Sequence, residues 1–291
     1  MTSNYLKEFI LSRRIIEHLQ NLGFNGFEAD VYLTLLIEPG ITGYRVAQIT
    51  GKPVPNTYKI LENLENMGAV LADNSGKSRL YSPVPIGEYV EIKVKGLEQS
   101  RKILEKDIDS IGKPPPEEGI YRLTTVPQVY HRAEKIIASA VSSLLVDIDP
   151  NPLDHLKSLI TETAAKGVKT LVHVHSDAMN TSIPGCEVVN SCKLDWPGEW
   201  MIVQADAKEY LIAIITPDER RVYQAVWSRN PFIAPCIYQG YMNKALLYRV
   251  LLMIGGGKTF EEIKEELHRL WMAFGADDPG TLALQELLKN P

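Results

Sequence analysis

Cysteine is scarce. Cys186, Cys192 and Cys236 are the only three in 291 residues. An odd number this small cannot be a disulfide framework, which points to a reducing compartment. Long apolar runs are also missing. The N-terminal stretch MTSNYLKEFILSRRIIEHLQ scatters charges through its apolar pattern, unlike a signal peptide, so a cytoplasmic protein with no membrane association is expected. Positive charge is in short supply: 31 Lys and Arg stand against 36 Asp and Glu, a net charge of -5 at pH 7. That excludes a binder of polyanions through its whole surface, and any nucleic-acid contact must come from a local basic patch. What is plentiful is apolar. With 45% hydrophobic and 23% charged side chains, the chain can bury an ample core, and its length suits two domains.

The N-terminal third reads as helices. LQNLGFNGFEADVYLTLL, from Leu19 to Leu36, places Leu22, Phe24, Phe27, Ala29, Val31, Tyr32, Leu35 and Leu36 on one wide apolar face of a single helix, stopped by Pro39 and Gly40. A second, short helix follows with Thr42 as N-cap, Val46, Ala47 and Ile49 inward and Gly51 as C-cap. After a tight turn, a third helix starts near Pro55, buries Ile60, Leu61 and Leu64, and ends at Gly68. This is helix-turn-helix spacing. With those apolar residues inward, helical geometry turns Asn56, Lys59 and Asn63 outward together. Lysine neutralises phosphate and asparagine pairs bidentately with an adenine edge, so this face suits a major groove. AVLADNSGKSRLYSPVP then reads as two short strands around an Asn74-Ser75-Gly76 turn that presents Lys77 and Arg79, which makes the unit a winged helix. A winged helix can equally serve protein contacts, so the fold alone does not assign DNA.

These stretches carry a family resemblance. LGFNGFEADVYLTLL, ITGYRVAQITGKPVPNTYKILENLENMGAV and RLYSPVP resemble the N-terminal domain of the TrmB family of transcriptional regulators, with Glu28, Ala29, Val31, Tyr32, Gly51, Pro53, Tyr58, Leu61, Leu64, Glu65, Gly68, Tyr81, Val84 and Pro85 at the family's pattern positions. The recognition helix departs from the pattern: Val54, Pro55 and Asn56 stand where members often carry Arg, Ser and Lys. The DNA-contacting set expected is Lys52, Pro55, Asn56, Tyr58, Lys59, Asn63, Lys77 and Arg79, with Asn56 and Lys59 in the groove. From Ile86 to Gly112 a helical stripe of Ile86, Val90, Leu97, Leu104, Ile108 and Ile111 runs through mixed charges. A lone helix cannot bury that stripe. Its own domain or a second subunit must, and the resemblance implies a homodimer on a near-palindromic double-stranded operator. Lys113-Pro114-Pro115-Pro116-Glu117-Glu118-Gly119 then breaks the helix and marks a boundary.

The rest of the chain reads as α/β. A helix feeds a strand from Leu144 to Ile148, a helix from Leu153 to Lys166 stops at Gly167, and a strand runs from Val168 to Val174, as in a right-handed parallel crossover. WMIVQADAKEYLIAIITP reads as a hairpin about Asp206, and GYMNKALLYRVLLMI as a buried helix. This order resembles the phospholipase D-like domain of many TrmB-family regulators. The H-x-K-x-x-x-x-D motif of phospholipase D enzymes, anchored on Asp206, puts Glu199 in place of the histidine and Met201 in place of the lysine. A carboxylate does not usefully replace imidazole beside an anionic phosphodiester, and methionine carries no charge to stabilise phosphate, so no catalytic residue is expected. About thirty-five residues remain, which read as two helices split by Gly275-Ala276-Asp277-Asp278-Pro279, and no sugar effector is carried over.

Three further patterns bear on function. His173-Val174-His175 puts two imidazoles on one face of a strand, with Cys186 and Cys192 near in sequence, but the spacing fits no standard zinc pattern, so no metal and no cofactor is expected. Asp147, Asp149, His175, Ser176 and Asp177 fall near the ends of the parallel strands, where open α/β sheets form their crevice, and are the expected lining of a small-molecule effector pocket with Trp227, Ser228 and Asn230. GGGKT at Gly255 is not a phosphate loop, because Leu252 stands where a Walker loop needs glycine.

The expected architecture is an α+β winged helix-turn-helix domain over 1–85, a linker helix over 86–112, an α/β phospholipase D-like domain over 120–254 and a helical tail over 255–291. The expected function is a dimeric, sequence-specific DNA-binding transcriptional regulator whose phospholipase D-like domain is non-catalytic and serves dimerisation or effector sensing. The rival readings are an architectural DNA-binding or protein-interaction protein and an active phosphodiesterase.

Overall fold

The computed structural model describes residues 13–111, 118–178, 180–193, 195, 197–275 and 279–289. The proline-rich break at Lys113 to Glu117 and the tail break at 276–278 lie outside them. The chain divides into two compact units, Met1–Lys113 and Pro114–Pro291. Among the described residues, no helix is long and apolar enough to cross a membrane.

The first unit holds helix α1 over residues 13–21, α2 (Gly26–Ile37), β1 (Ile41–Thr42), α3 (Gly43–Thr50), α4 (Val54–Asn66), β2 (Val70–Asp73), β3 (Leu80–Pro83) and α5 (Ile86–Ile111). The single helix expected from Leu19 to Leu36 is in fact two. Gly23 adopts φ +96°, and Asn25 opens α2 with a capping box: its side chain accepts from the Phe27 and Glu28 N–H groups, and Glu28 accepts from the Asn25 N–H. Continuous apolar content hid this break, because a capping box and a left-handed glycine outrank periodicity as boundary signals. The break turns Leu22 and Leu36 outward, at 39% and 45% exposed, and Ile49 on α3 is likewise 43% exposed instead of inward.

Elsewhere in this unit local chemistry gives the elements expected. Thr42 caps α3 by accepting from the Arg45 N–H, and Gly51 ends it in the left-handed conformation. Pro55 sits in the first turn of α4. Thr57, Leu61 and Leu64 are the buried face of α4, and Ile60 is only half-buried. They join a core of Phe24, Val31, Tyr32, Leu35, Val46, Tyr81, Val84 and Tyr89, pinned where the Tyr32 hydroxyl donates to the Val84 carbonyl at 2.6 Å. The three-stranded sheet β1-β3-β2 is antiparallel and forms the wing.

Helices α3 and α4 approach so closely at Gly43 that a Cβ there would lie 2.7 Å from Tyr58 Cε1 and 3.0 Å from Leu61 Cδ1. Gly43→Ala is therefore expected to destabilise this unit by about 1–3 kcal/mol through overpacking. Far-UV circular dichroism on denaturant titration checks this.

The second unit is a seven-stranded mixed sheet, order β4-β10-β9-β8-β5-β6-β7, between two helical layers. Its strands are β4 (Ile120–Arg122), β5 (Ser143–Ile148), β6 (Lys169–His175), β7 (Glu187–Ser191), β8 (Glu199–Ala205), β9 (Glu209–Ile215) and β10 (Val222–Ser228). Strands β5, β6 and β7 pair in parallel, and the rest antiparallel. Helices α6 (Val126–Ser139) and α7 (Pro150–Ala165) pack on the face that carries Val146, Val172, Val203, Leu211 and Trp227. Helices α8 (Ile233–Gly255) and α9 (Phe260–Phe274) pack on the face that carries Leu145, Leu171 and Val189, and α10 (Pro279–Lys289) closes the tail.

The reading of GYMNKALLYRVLLMI as wholly buried is corrected: only one side of α8 is inward, through Tyr238, Met242 and Ala245, while Leu247, Leu251 and Ile254 are 58%, 53% and 58% exposed. GGGKT is a helix-to-helix turn, in which Gly256 caps α8 and Thr259 opens α9 with a capping box to Glu262.

Candidate nucleic-acid interface and a buried polar cluster

The expected DNA-contacting residues fall on α4, the turn before it and the wing. Burial of Thr57, Leu61 and Leu64 leaves Pro55, Asn56, Tyr58, Lys59 and Asn63 exposed, and Asn56, Lys59 and Asn63 recur at helical spacing on one side. Lys52, just before the helix, holds its ammonium 5.1 Å from the Phe27 ring centroid. Lys77 is exposed on the wing turn. Arg79 is not simply presented to solvent. Its guanidinium donates to Glu65 of α4 at 2.6 Å and lies 5.5 Å from the Tyr81 ring. Any phosphate it meets must compete with that carboxylate, a contact that sequence spacing could not reveal because Glu65 and Arg79 sit on different elements.

In the second unit, polar residues spaced along apolar strands converge. Asp147 of β5, His173 and His175 of β6 and Ser191 of β7 lie on the face covered by α8, with Asp147 in register with His173 and His175 with Ser191. All four are buried, none above 2% exposed. Asp147 accepts from His173 Nδ1 at 2.9 Å, His175 Nε2 at 2.9 Å, Trp200 Nε1 at 2.7 Å and Lys244 Nζ at 3.0 Å. Burial by itself would raise this carboxyl. The hydrogen bonds from both histidines and the Lys244 charge outweigh it and hold the group well below the usual carboxylate range. Burial acts on His173 in the same sense, disfavouring charge, and lowers its imidazole against the pull of Asp147. Tyr248 of α8 stacks 4.9 Å from the His173 ring.

Ser191, His173 and Asp147 share the connectivity of a nucleophile, base and orienting acid. However, Ser191 is 2% exposed and its Oγ is held by both imidazoles, so it offers no reachable nucleophile.

The expected effector set is brought together only in part. Asp149 is buried next to the cluster and accepts from the Trp200 N–H at 2.8 Å; burial, ahead of the nearby Glu199 charge, raises its carboxyl. Among the described residues, Asp149 Oδ1 and Glu199 Oε2 are buried with no hydrogen-bond partner. Ser176 is half-buried, and Asp177 is exposed and accepts from the Lys193 N–H. Trp227 and Asn230 do not belong with them. Strand alternation places Trp227 on the opposite, α6 and α7 face, where its Nε1 donates to Glu209 at 2.7 Å and Arg132 stacks 3.7 Å from its ring. Asn230 caps α8 by accepting from the Phe232 and Ile233 N–H groups, and the Ser228 hydroxyl donates to the Gly119 carbonyl.

The phospholipase D motif positions do not converge either. Glu199, 3% exposed, pairs with Lys193 at 3.0 Å, and Met201 is in the core. Asp206, at the other end of β8, locks the hairpin by accepting from the N–H groups of Val141, Ser142 and Ser143.

Two family models match the chain. The one described as "Sugar-specific transcriptional regulator TrmB" spans residues 19–87, and the one for the N-terminal subdomain of the TrmB EBD spans 119–244. The uncharacterized protein YrhO of Bacillus subtilis is 23% identical over 270 residues, 88% of this chain and 95% of that protein. The putative HTH-type transcriptional regulator TrmBL2 of Pyrococcus furiosus is 25% identical over 178 residues, 55% of this chain and 66% of that one. The solved structure of TrmBL2, described as an archaeal chromatin protein, aligns with a TM-score of 0.38 at 17% identity over 80% of this chain and 97% of its own. Nuc of Salmonella typhimurium, a phospholipase D family member, aligns with 0.33 at 9% identity over 43% of this chain and 93% of its own. The two models together match more than half of the chain, each in one of its two compact units, and the chain belongs to the TrmB family of transcriptional regulators.

Proposed function

We propose that the chain acts as a homodimeric, sequence-specific DNA-binding regulator, in which residues 1–85 read the operator, 86–112 pair the subunits, and the phospholipase D-like unit over 120–254 with its tail over 255–291 senses an effector without catalysis. The observation that carries the reading is the outward face of α4. Its Asn56, Lys59 and Asn63 are exposed because Thr57, Leu61 and Leu64 are committed to the core. Asn56 supplies base readout, while Lys52, Tyr58, Lys59, Lys77 and Arg79 supply groove or phosphate contacts. An exposed stripe on α5, with Leu97 69%, Leu104 57% and Ile108 57% exposed, supports pairing with the same helix of a second copy. Phosphodiester chemistry is disfavoured by the carboxylate and thioether at Glu199 and Met201. The effector region narrows to Asp147, Asp149, His175, Ser176 and Asp177. A transcriptional regulator works where the DNA is, which supports a cytoplasmic location.

Paired substitutions test the interface. Asn56→Ala should cost about 1–3 kcal/mol on the selected operator and little on random DNA. Equal losses on both would remove its readout role. Glu65→Gln should instead tighten binding to all DNA and steepen the salt dependence by about one phosphate, because it releases Arg79. Fluorescence anisotropy over a salt series reads both, and an unchanged salt slope for Glu65→Gln would contradict the competition.

A further inference from the structure

The hydrogen bonds around Asp147 form a closed ring that is one proton short. Asp147 Oδ2 lies 2.9 Å from His173 Nδ1, and His173 Nε2 lies 2.9 Å from Ser191 Oγ. Ser191 Oγ lies 2.8 Å from His175 Nδ1, and His175 Nε2 lies 2.9 Å from Asp147 Oδ1. Each such contact needs a hydrogen between two lone-pair atoms. An ionised carboxylate supplies none, and two neutral imidazoles and a hydroxyl supply one each. Providing the missing proton as an imidazolium would bury a second cation beside Lys244, whose Nζ is 3.0 Å from Asp147 Oδ2 and 3.4 Å from His175 Nε2. Two cations against one buried carboxylate is an expensive arrangement.

A metal cation closes the count. Held by Asp147, His173 Nδ1 and His175 Nε2, it leaves both imidazoles neutral, and their distal N–H groups then donate to the two lone pairs of Ser191 Oγ at the distances observed. We propose that Asp147, His173 and His175 bind a borderline divalent transition-metal ion of the zinc, iron(II) or cobalt(II) class, with Ser191 orienting both rings. Their ligand atoms lie within 4.8 Å of one another. Small ring rotations bring such a triangle to the distances of about 2.0–2.2 Å that nitrogen and oxygen ligands keep. Cys186 and Cys192 are not part of this group. Trp200 Nε1 fixes the carboxylate from one side. Lys244, whose side chain is 27% exposed, reaches the same carboxylate from the solvent side, so its ammonium and the metal are alternatives that exchange as the stem withdraws.

This inference deepens the effector reading above by naming a metal ion as what that region takes. Uptake is measured apart from DNA binding, so either reading can fail alone. The experiment is a cobalt(II) titration of the chelator-treated full chain, followed by visible absorption and equilibrium dialysis. One cobalt per chain, with the d–d spectrum of a nitrogen and oxygen ligand set, is expected. Ser191→Ala should keep the fold and weaken uptake by about 10–100-fold. His175→Gln should abolish uptake, and Lys244→Met should tighten it. No saturable uptake by the wild-type chain, uptake that survives in His175→Gln, or weaker uptake in Lys244→Met would overturn the proposal.

Discussion

Asp147→Ala is expected to destabilise the second unit by about 3–5 kcal/mol, the range for removing one partner of a buried charged network. The substitution leaves the Trp200 Nε1–H, the facing nitrogens of His173 and His175 and the Lys244 ammonium without their common acceptor. Lys244 can return to water, but His173 and His175 are fully buried beneath α8, and Trp200 of β8 is half-buried. All four tryptophans of the chain, Trp196, Trp200, Trp227 and Trp271, lie beyond residue 118. Their fluorescence during denaturant unfolding therefore reports this unit and not the winged helix. A loss below about 1 kcal/mol would place Asp147 outside any cooperative network. Asp147→Asn, which keeps the shape and loses the charge, should fall between the two.

Leu97→Glu combined with Leu104→Glu should convert a dimer into monomers and lower operator affinity by about 10²–10⁴-fold. That is the effect of losing intramolecular delivery of the second half-site. Both side chains are exposed on α5, at 69% and 57%, so the substitutions should leave the winged-helix core of Phe24, Tyr32, Leu61 and Tyr89 intact. Sedimentation velocity reads the oligomeric state, and binding to single and double half-sites reads the coupling. A double variant that remains dimeric would move the subunit contact elsewhere, for which the exposed Leu247, Leu251 and Ile254 of α8 are the next candidates. A monomeric variant with unchanged affinity would remove the two-half-site reading.

The parts of the fold that were legible in the sequence are those written in local signals. Thr42 and Gly51 bracket α3, Pro55 opens α4, and Gly167 ends the turn before β6, because capping and left-handed backbone are properties of a few adjacent residues. The break at Gly23 and Asn25 was equally local and was missed because the apolar pattern runs across it. The buried cluster was legible only in part: Asp147 inside LLVDI and His175 inside LVHVH could be grouped by their place near the strand ends, while His173 and Ser191 were not joined to them. Joining them requires the strand order β5-β6-β7, which brings Ser191 beside them, and the antiparallel β8, which brings Trp200. Lys244 comes from 97 residues away on α8. Polar residues at the same alternation in neighbouring buried strands were the available signal. Trp227 and Asn230 were misplaced because nearness to strand ends says nothing about which face of a sheet a side chain occupies.

In the proposed regulator, two copies of the α4 face read a two-fold symmetric DNA site. Selection of bound fragments from a random double-stranded library by the full chain, at near-physiological salt, tests it most directly. Enrichment of a near-palindrome with half-sites about 10–10.5 base pairs apart, or a multiple of that spacing, is the predicted result. Retained DNA without any enriched motif would contradict it and point to sequence-independent coating of DNA.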